Sequence, residues 1–353
     1  MNPLAETCLD TPSVLPSPER ILFALSTREL DIFLPGLRLE EFAGRTYSYV
    51  NTDAMDADGK ERVLREWKPT VLMTAWSAPR IPSEWVESAD MPLRYICHVT
   101  GSVRSFVPRV LIERGVRVTN WGQSINHTVA EHAMLMVLAL LRGASGWPAA
   151  MAQDGWTIEQ TKRLRTLSLR GRRVGLHGFG GVAREIVAMM APFRPGRVCA
   201  YSQGVPAAFI EAHGVNACGS LEELFAGSDV LVECESLTAA SRASVDGNAL
   251  GLLPDDAVFV NVGRGSLVVE AALLKEAASG RLRVGLDVFH REPLAADSPL
   301  RTAPGVMLSP HIAGPTSETY RLCGDHALDN LRRYLEGKPL SGEITPEAFD
   351  RMT

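Results

Sequence analysis

The stretch RRVGLHGFGGVAREIVAMM, Arg172 to Met190, decides how the chain is read. Arg173 to Leu176 has the apolar content of a buried strand, and Val182 to Met190 carries helical apolar spacing. Between them Gly178-Phe179-Gly180-Gly181-Val182-Ala183 fits G-x-G-x-x-[G/A]. Strand, glycine turn and helix follow without a spare residue. In that setting Gly178 permits the turn, Gly180 lets a pyrophosphate approach the backbone, and Ala183 keeps the helix close to its strand, while free N–H groups at the helix start attract phosphate. The glycine string alone also occurs in ligand-free turns; its position between a strand and a helix makes it a dinucleotide site.

After this turn, strand-like runs at Val198 to Ser202, Asp229 to Ser236, Ala257 to Gly263, Val284 to Phe289 and Val306 to Pro310 alternate with helical pieces at Ala207 to His213, Leu221 to Ala226 and Val268 to Ser279. Before it the same alternation runs through Ile21 to Ser26, Thr46 to Val50, Thr70 to Trp76, Leu93 to Val99 and Val116 to Asn120, with helices such as Lys60 to Trp67 and Phe106 to Arg114. Repeated βα units predict parallel sheets covered by helices on both faces. The 353 residues suit two such domains, so the predicted class is α/β with two doubly wound parallel-sheet domains. Ser124 to Arg142 reads as a helix with almost no polar face after His132, a pattern expected between domains or subunits. His127 and His132 are five apart and do not share a helix face, so they read as solvated or capping residues rather than a metal pair. A long amphipathic helix, Ser317 to Glu336, follows the last strand.

Composition narrows the function. An apolar fraction of 46% and a charged fraction of 22% belong to a globular chain, and 36 basic against 41 acidic residues leave −5, so no global field draws it to nucleic acid or anionic lipid. The densest basic run, Lys162, Arg163, Arg165, Arg170, Arg172 and Arg173, has no interleaved aromatics and reads as a solvated connection. Six cysteines (Cys8, Cys97, Cys199, Cys218, Cys234, Cys323) lack C-x-x-C spacing and read as thiols of a reducing compartment. Acids and prolines up to Pro18 replace the basic and apolar regions of a signal peptide, and the longest apolar run, Ala133 to Leu141, is too short for a bilayer span. The expectation is a cytoplasmic protein with a loose N-terminal tail, no metal, and no membrane or nucleic-acid partner.

In open α/β sheets ligands bind outside the carboxyl ends of the strands. There the second domain carries Asn261-Val262-Gly263-Arg264-Gly265, then Asp287-Val288-Phe289-His290-Arg291-Glu292-Pro293, then Ser309-Pro310-His311-Ile312-Ala313-Gly314. An arginine, a carboxylate and a histidine thus converge on one rim. Arg264 suits a carboxylate or a polarised carbonyl. His311 suits proton transfer to the carbonyl oxygen. Glu292 suits holding the other ring nitrogen of that histidine and raising its pKa. Together they fit hydride transfer between a nicotinamide and a 2-keto or 2-hydroxy acid.

GLHGFGGVARE, NVGRGSLV, GLDVFHREPL and SPHIAG, in this order and spacing, resemble the D-isomer-specific 2-hydroxyacid dehydrogenase family over about Leu93 to Leu340. The resemblance implies Arg264, Glu292 and His311 as the catalytic residues and Asp287 near the nicotinamide. It also implies a Rossmann-type cofactor domain (123–310) inserted in a flavodoxin-like substrate domain (1–122, completed by 311–353), and a homodimer built on the helix after NWGQ. The substrate-carboxylate loop falls on Thr100-Gly101-Ser102-Val103, and the expected cofactor wall is Gly178, Phe179, Gly180, Gly181, Val182, Ser202, Cys234, Val262 and Asp287. Three departures stand out. The second strand of the cofactor domain ends in Tyr201-Ser202-Gln203 instead of the acid that binds the ribose of NAD, and no Arg or Lys follows Ser202 before Arg242 to hold a 2′-phosphate; NAD and NADP are nearly even, with NAD marginally ahead. A strand-end His-x-Pro is replaced by Cys234-Glu235-Ser236. The substrate loop lacks its second glycine and aspartate and carries Arg104, which is either solvated or reads a second anionic group on the substrate.

The rival from another class is a catalytically silent NAD(P)-sensing co-regulator on the same fold, against which the intact Arg264, Glu292 and His311 argue. Tyr334-Leu335-Glu336-Gly337-Lys338 spells the Y-x-x-x-K of short-chain dehydrogenases, but at the end of the last helix it is a chance match. No G-x-x-x-x-G-K-[ST] occurs.

Overall fold

A computed structural model describes residues 19–152 and 157–352; Cys8 and the tail to Pro18 lie outside the described residues. The first half forms a parallel sheet of β1 (Arg20–Leu25), β2 (Thr46–Asn51), β3 (Val71–Thr74), β4 (Tyr95–His98) and β5 (Arg117–Thr119), ordered β2-β1-β3-β4-β5, the flavodoxin-like order. The second is a seven-stranded parallel sheet of β6 (Arg173–His177), β7 (Arg197–Tyr201), β8 (Asn216–Ala217), β9 (Val230–Glu233), β10 (Val258–Asn261), β11 (Arg283–Leu286) and β12 (Val306–Leu308). Its order, β12-β11-β10-β9-β6-β7-β8, is the Rossmann order with one strand added at the β12 edge.

Strands β3, β4, β9 and β10 are buried at every position, as parallel strands covered on both faces must be. Each strand that an apolar run announces is one to three residues shorter at its carboxyl end than that run, except β2 and β6, which gain a residue; the two-residue edge strand β8 was not read from the sequence. The trimmed residues, among them Ala75, Val99, Cys234, Val262 and Asp287, leave the ladder where the sheets end. Short helices that sequence reading passed over, Thr27–Phe33, Gly247–Leu252 and Pro346–Asp350, start at Ser26, Asp246 and Thr345, whose side chains accept hydrogen bonds from first-turn N–H groups.

The apolar helix Asn126–Leu141 buries Ala133, Met136, Val137 and Leu140 in the same core as β6 and β10 and packs against the helix Gly181–Met190. The helix Thr319–Leu335 returns to the first sheet, where Cys323, Ala327 and Leu331 join the core of β1 and β4 and Tyr334 stacks on Tyr95 with centroids 4.5 Å apart. Burial there pushes the Tyr334 phenol up to about 12; the Y-x-x-x-K tyrosine is half-buried and packs against the core of the first sheet. Among the described residues no single helix is long and apolar enough to cross a bilayer, and the described cysteines are free thiols.

Candidate active site

Both sheets turn their carboxyl ends to one cleft of about 1040 Å³. Ala75 and Trp76 after β3 and His98 and Thr100 to Ser102 at and after β4 line one side; the segments after β9, β10, β11 and β12 line the other.

The glycine turn is shaped by two demands. Gly178 has φ +99°, its N–H donates to the Tyr201 carbonyl at 2.8 Å, and a Cβ there would lie 2.6 Å from the Glu235 nitrogen, so only glycine lets β9's end close over the turn. Gly180 caps the helix Gly181–Met190 without any side-chain cap, and a Cβ on it would meet nothing within 4 Å. Open space above uncapped helix N–H groups is the cradle a diphosphate requires, so these residues fit a dinucleotide. Val182, Cys234 and Val262 line the cleft. Phe179 does not: its ring is buried against Phe209 and His213 at centroid distances of 6.2 and 5.6 Å, leaving only its backbone to a ligand. Gly181 is overlaid by the Asn126 amide, a cleft residue that sequence reading passed over. Ser202 is buried at the end of β7 and donates to Glu235 Oε2 at 2.6 Å.

Farther along the same sheet His311 Nδ1 lies 2.6 Å from Glu292 Oε2, and Glu292 Oε1 accepts the Phe289 N–H at 3.0 Å. The carboxylate is held at both oxygens, which leaves Nε2 as the ring nitrogen available for proton exchange. His311 sits at φ +54°, a left-handed conformation that costs a non-glycine residue roughly 1–3 kcal/mol and is typical of functional turns. Asp287 maintains it. This buried carboxylate accepts Ser309 Oγ–H at 2.6 Å and Ile312 N–H at 2.9 Å on Oδ1, and Ala313 N–H at 2.9 Å on Oδ2. Although Asp287 borders the cleft, its hydrogen bonds brace the loop that carries His311. His132 joins the brace, its Nε2 2.8 Å from Ser309 Oγ, so the solvated reading is corrected for this residue. His127 is exposed beside Glu131 and Glu185. Arg264 precedes the turn Gly265–Leu267, and its Nη1 donates to the Gly263 carbonyl at 2.8 Å. Burial lowers its pKa and Glu292 opposes that shift, so the guanidinium and the Glu292 carboxylate act on each other. A guanidinium remains charged throughout the physiological range.

Gly101 and Ser102 line the cleft, with Trp121 packed so closely on Gly101 that a Cβ would come within 2.5 Å of its ring. Val103 departs from expectation: its side chain is fully buried and its N–H donates to Met352 Sδ at 3.3 Å, so that amide is not turned to a ligand. Arg104 also turns away, donating to the Met352 carbonyl at 3.0 Å and lying 5.8 Å over Phe349. Arg80 and Arg351 line the cleft instead, and no side-chain hydrogen bond or ion pair among the described residues engages either guanidinium.

Beneath the Thr100–Val103 loop, His98 is buried with Nδ1 2.9 Å from Thr74 Oγ1 and Nε2 2.7 Å from Thr100 Oγ1. Burial takes its pKa from 6.5 to about 3. The unfolded chain therefore binds one more proton than the folded one between these values. The stabilising contribution is complete above pH 6.5 and is lost as the pH falls toward 3, on the order of 5 kcal/mol in all. In His98→Gln, the slope of unfolding free energy against pH between 6 and 4 flattens by about 1.4 kcal/mol per unit relative to the parent, measured by denaturant titration at each pH. An unchanged slope would show that this ring is not buried neutral.

Among the described residues no group of three or more His, Cys, Asp or Glu side chains could hold a metal ion. Residues 134–313 match the family model described as D-isomer specific 2-hydroxyacid dehydrogenase, NAD binding domain. The chain is 26% identical over 79% of its length to a D-3-phosphoglycerate dehydrogenase of Methanocaldococcus jannaschii, of which it spans about half (52%). It is 31% identical to a hydroxyphenylpyruvate reductase of Plectranthus scutellarioides, covering 66% of this chain and 72% of that one. A solved glyoxylate reductase from Paecilomyes thermophila shares the fold with a TM-score of 0.78 at 23% identity, covering 94% of this chain and 100% of that one. With the glycine turn, the rim residues and a matched segment that includes all of them, the chain belongs to the D-isomer-specific 2-hydroxyacid dehydrogenase family.

Proposed function

We propose that the chain transfers a hydride between a nicotinamide dinucleotide and a 2-keto or D-2-hydroxy acid. The observation that carries this is the 2.6 Å His311–Glu292 pair on the same cleft rim as Arg264. When bound, the nicotinamide supplies or accepts the hydride. Arg264 binds the substrate carboxylate and polarises the adjacent carbonyl through charge-assisted bonds. His311 Nε2 gives a proton to the keto oxygen in reduction and takes it back in oxidation, and Glu292 holds the ring through Nδ1. Gly101 and Ser102 close the substrate side. Residues 1–122 with 311–353 form the substrate domain and 123–310 the cofactor domain. A homodimer is part of the proposal, since exposed Leu135, Trp147, Met151 and Ile158 leave apolar surface for a second copy to cover.

The unpaired Arg80 and Arg351 favour an acid with a second anionic group, which fits the phosphoglycerate relatives. Oxidation of NADH and NADPH is to be followed over keto acids of graded size and charge. The expected result is higher kcat/KM for dianionic members, and an Arg80→Ala variant that loses at least about tenfold more on these than on monoanionic ones, the loss of one charge-assisted contact. Turnover of none of the panel would overturn the dehydrogenase reading and favour the silent co-regulator; equal losses on both charge classes would overturn the dianion preference alone.

A further inference from the structure

Rossmann sites that take NAD place an acid about 20 residues beyond the glycine turn, at the end of the second strand, where it binds the ribose hydroxyls and repels a 2′-phosphate. In this chain that position is Ser202, at the end of β7. We propose that Glu235, from the end of β9, supplies the missing carboxylate and makes the site select NAD over NADP. The inference rests on the reading of the glycine turn as a dinucleotide site.

The sheet order β9-β6-β7 puts the glycine turn between the strands that carry these two residues. Glu235 crosses that gap. Its Oε2 accepts Ser202 Oγ–H at 2.6 Å and its Oε1 accepts the Ser236 N–H at 2.8 Å, so the carboxylate is fixed at both oxygens while its residue lines the cleft. The backbone beneath is fixed as well. The Glu235 N–H donates to Glu233 Oε1 at 2.9 Å, and Glu233 Oε2, fully buried, meets His177 Nδ1 at 2.5 Å. His177 answers the charge of Glu233, since it directly precedes Gly178 and pairs with Glu233 across β6 and β9. Glu235 has no cationic partner among the hydrogen bonds and ion pairs of the described residues; its partners are a serine hydroxyl and an amide. Its charge acts on His177 as well as that of Glu233 does, and, set on Ser202, the carboxylate stands where the reading of the glycine turn puts the ribose. Two ribose hydroxyls are donors that match such an acceptor, whereas a 2′-phosphate brings about two further negative charges against it. No Lys or Arg stands between Arg197 and Arg242 to compensate.

The test is binding of NADH and NADPH to the full chain, read by nicotinamide fluorescence in the absence of any keto acid. The parent is expected to bind NADH at least tenfold more tightly than NADPH. Glu235→Gln is expected to narrow that ratio at least tenfold, and Ser202→Asp added to Glu235→Gln to restore it by returning a carboxylate to the same place. Equal affinities in the parent, or a ratio that Glu235→Gln leaves unchanged with the fold intact by thermal unfolding, would overturn the proposal. The parent ratio decides even if a variant does not fold. NADH selectivity without keto acid turnover would remove the dehydrogenase reading and leave the role of Glu235 standing; binding of neither nucleotide would remove both.

Discussion

His311→Gln is expected to lower turnover of the best keto acid at least about a hundredfold, the lower end of what a positioned proton donor contributes. Glutamine keeps comparable volume and a hydrogen-bonding end near Glu292, but its amide cannot give up a proton as an imidazolium does, so the proton for the keto oxygen must come from water. NADH affinity is expected to stay within about threefold of the parent, because the glycine turn follows β6 whereas His311 follows β12, at the edge of the sheet. The Asp287 brace should preserve the loop, since its partners are the Ser309 hydroxyl and the Ile312 and Ala313 amides rather than the imidazole. Single-turnover rates beside an NADH titration separate the two effects. Turnover within tenfold of the parent would show that His311 is not the proton donor.

Arg264→Ala is expected to reduce kcat/KM for the keto acid by about 10²–10⁴, the loss of two charge-assisted bonds of roughly 1.5–3 kcal/mol each. The loss should appear in both kcat and KM, because the same guanidinium anchors the carboxylate and polarises the carbonyl beside it. Arg264→Lys is expected to recover only part, since an ammonium keeps the charge but not the planar fork. The substitution leaves the turn itself intact. That turn is set by the Asn261 amide donating to the Arg264 carbonyl at 3.1 Å, and by Gly265, where a Cβ would collide with the Phe289 carbonyl. Kinetic constants for the keto acid within about threefold of the parent would remove Arg264 from the substrate site.

The two doubly wound sheets, the glycine turn and the three rim residues are legible in the sequence because each is written locally. A parallel strand buried on both faces is a run of apolar residues, Gly178 is required by its own φ of +99°, and Arg264, Glu292 and His311 lie just beyond strand runs, each next to a glycine or proline. Residues whose side chains point into the core or toward a neighbouring strand are less legible. Phe179 and Val103 lie in the right segments yet face inward, and Arg104 is drawn to the chain end at Met352 while Arg80 and Arg351 reach the cleft. Asp287 shows the same limit: its position was readable, but not that three hydrogen bonds engage it with the His311 loop.

Sequence by itself determined which strands end at the cleft and which chemical groups those ends carry, because period and turn chemistry act between near neighbours along the chain. Only the tertiary structure decided which groups meet. The Tyr201-Ser202-Gln203 strand end carries no acid in sequence, yet Glu235 sets its carboxylate on Ser202, 33 residues away. The strand order that joins them arises from packing of the whole sheet, so no local pattern records it.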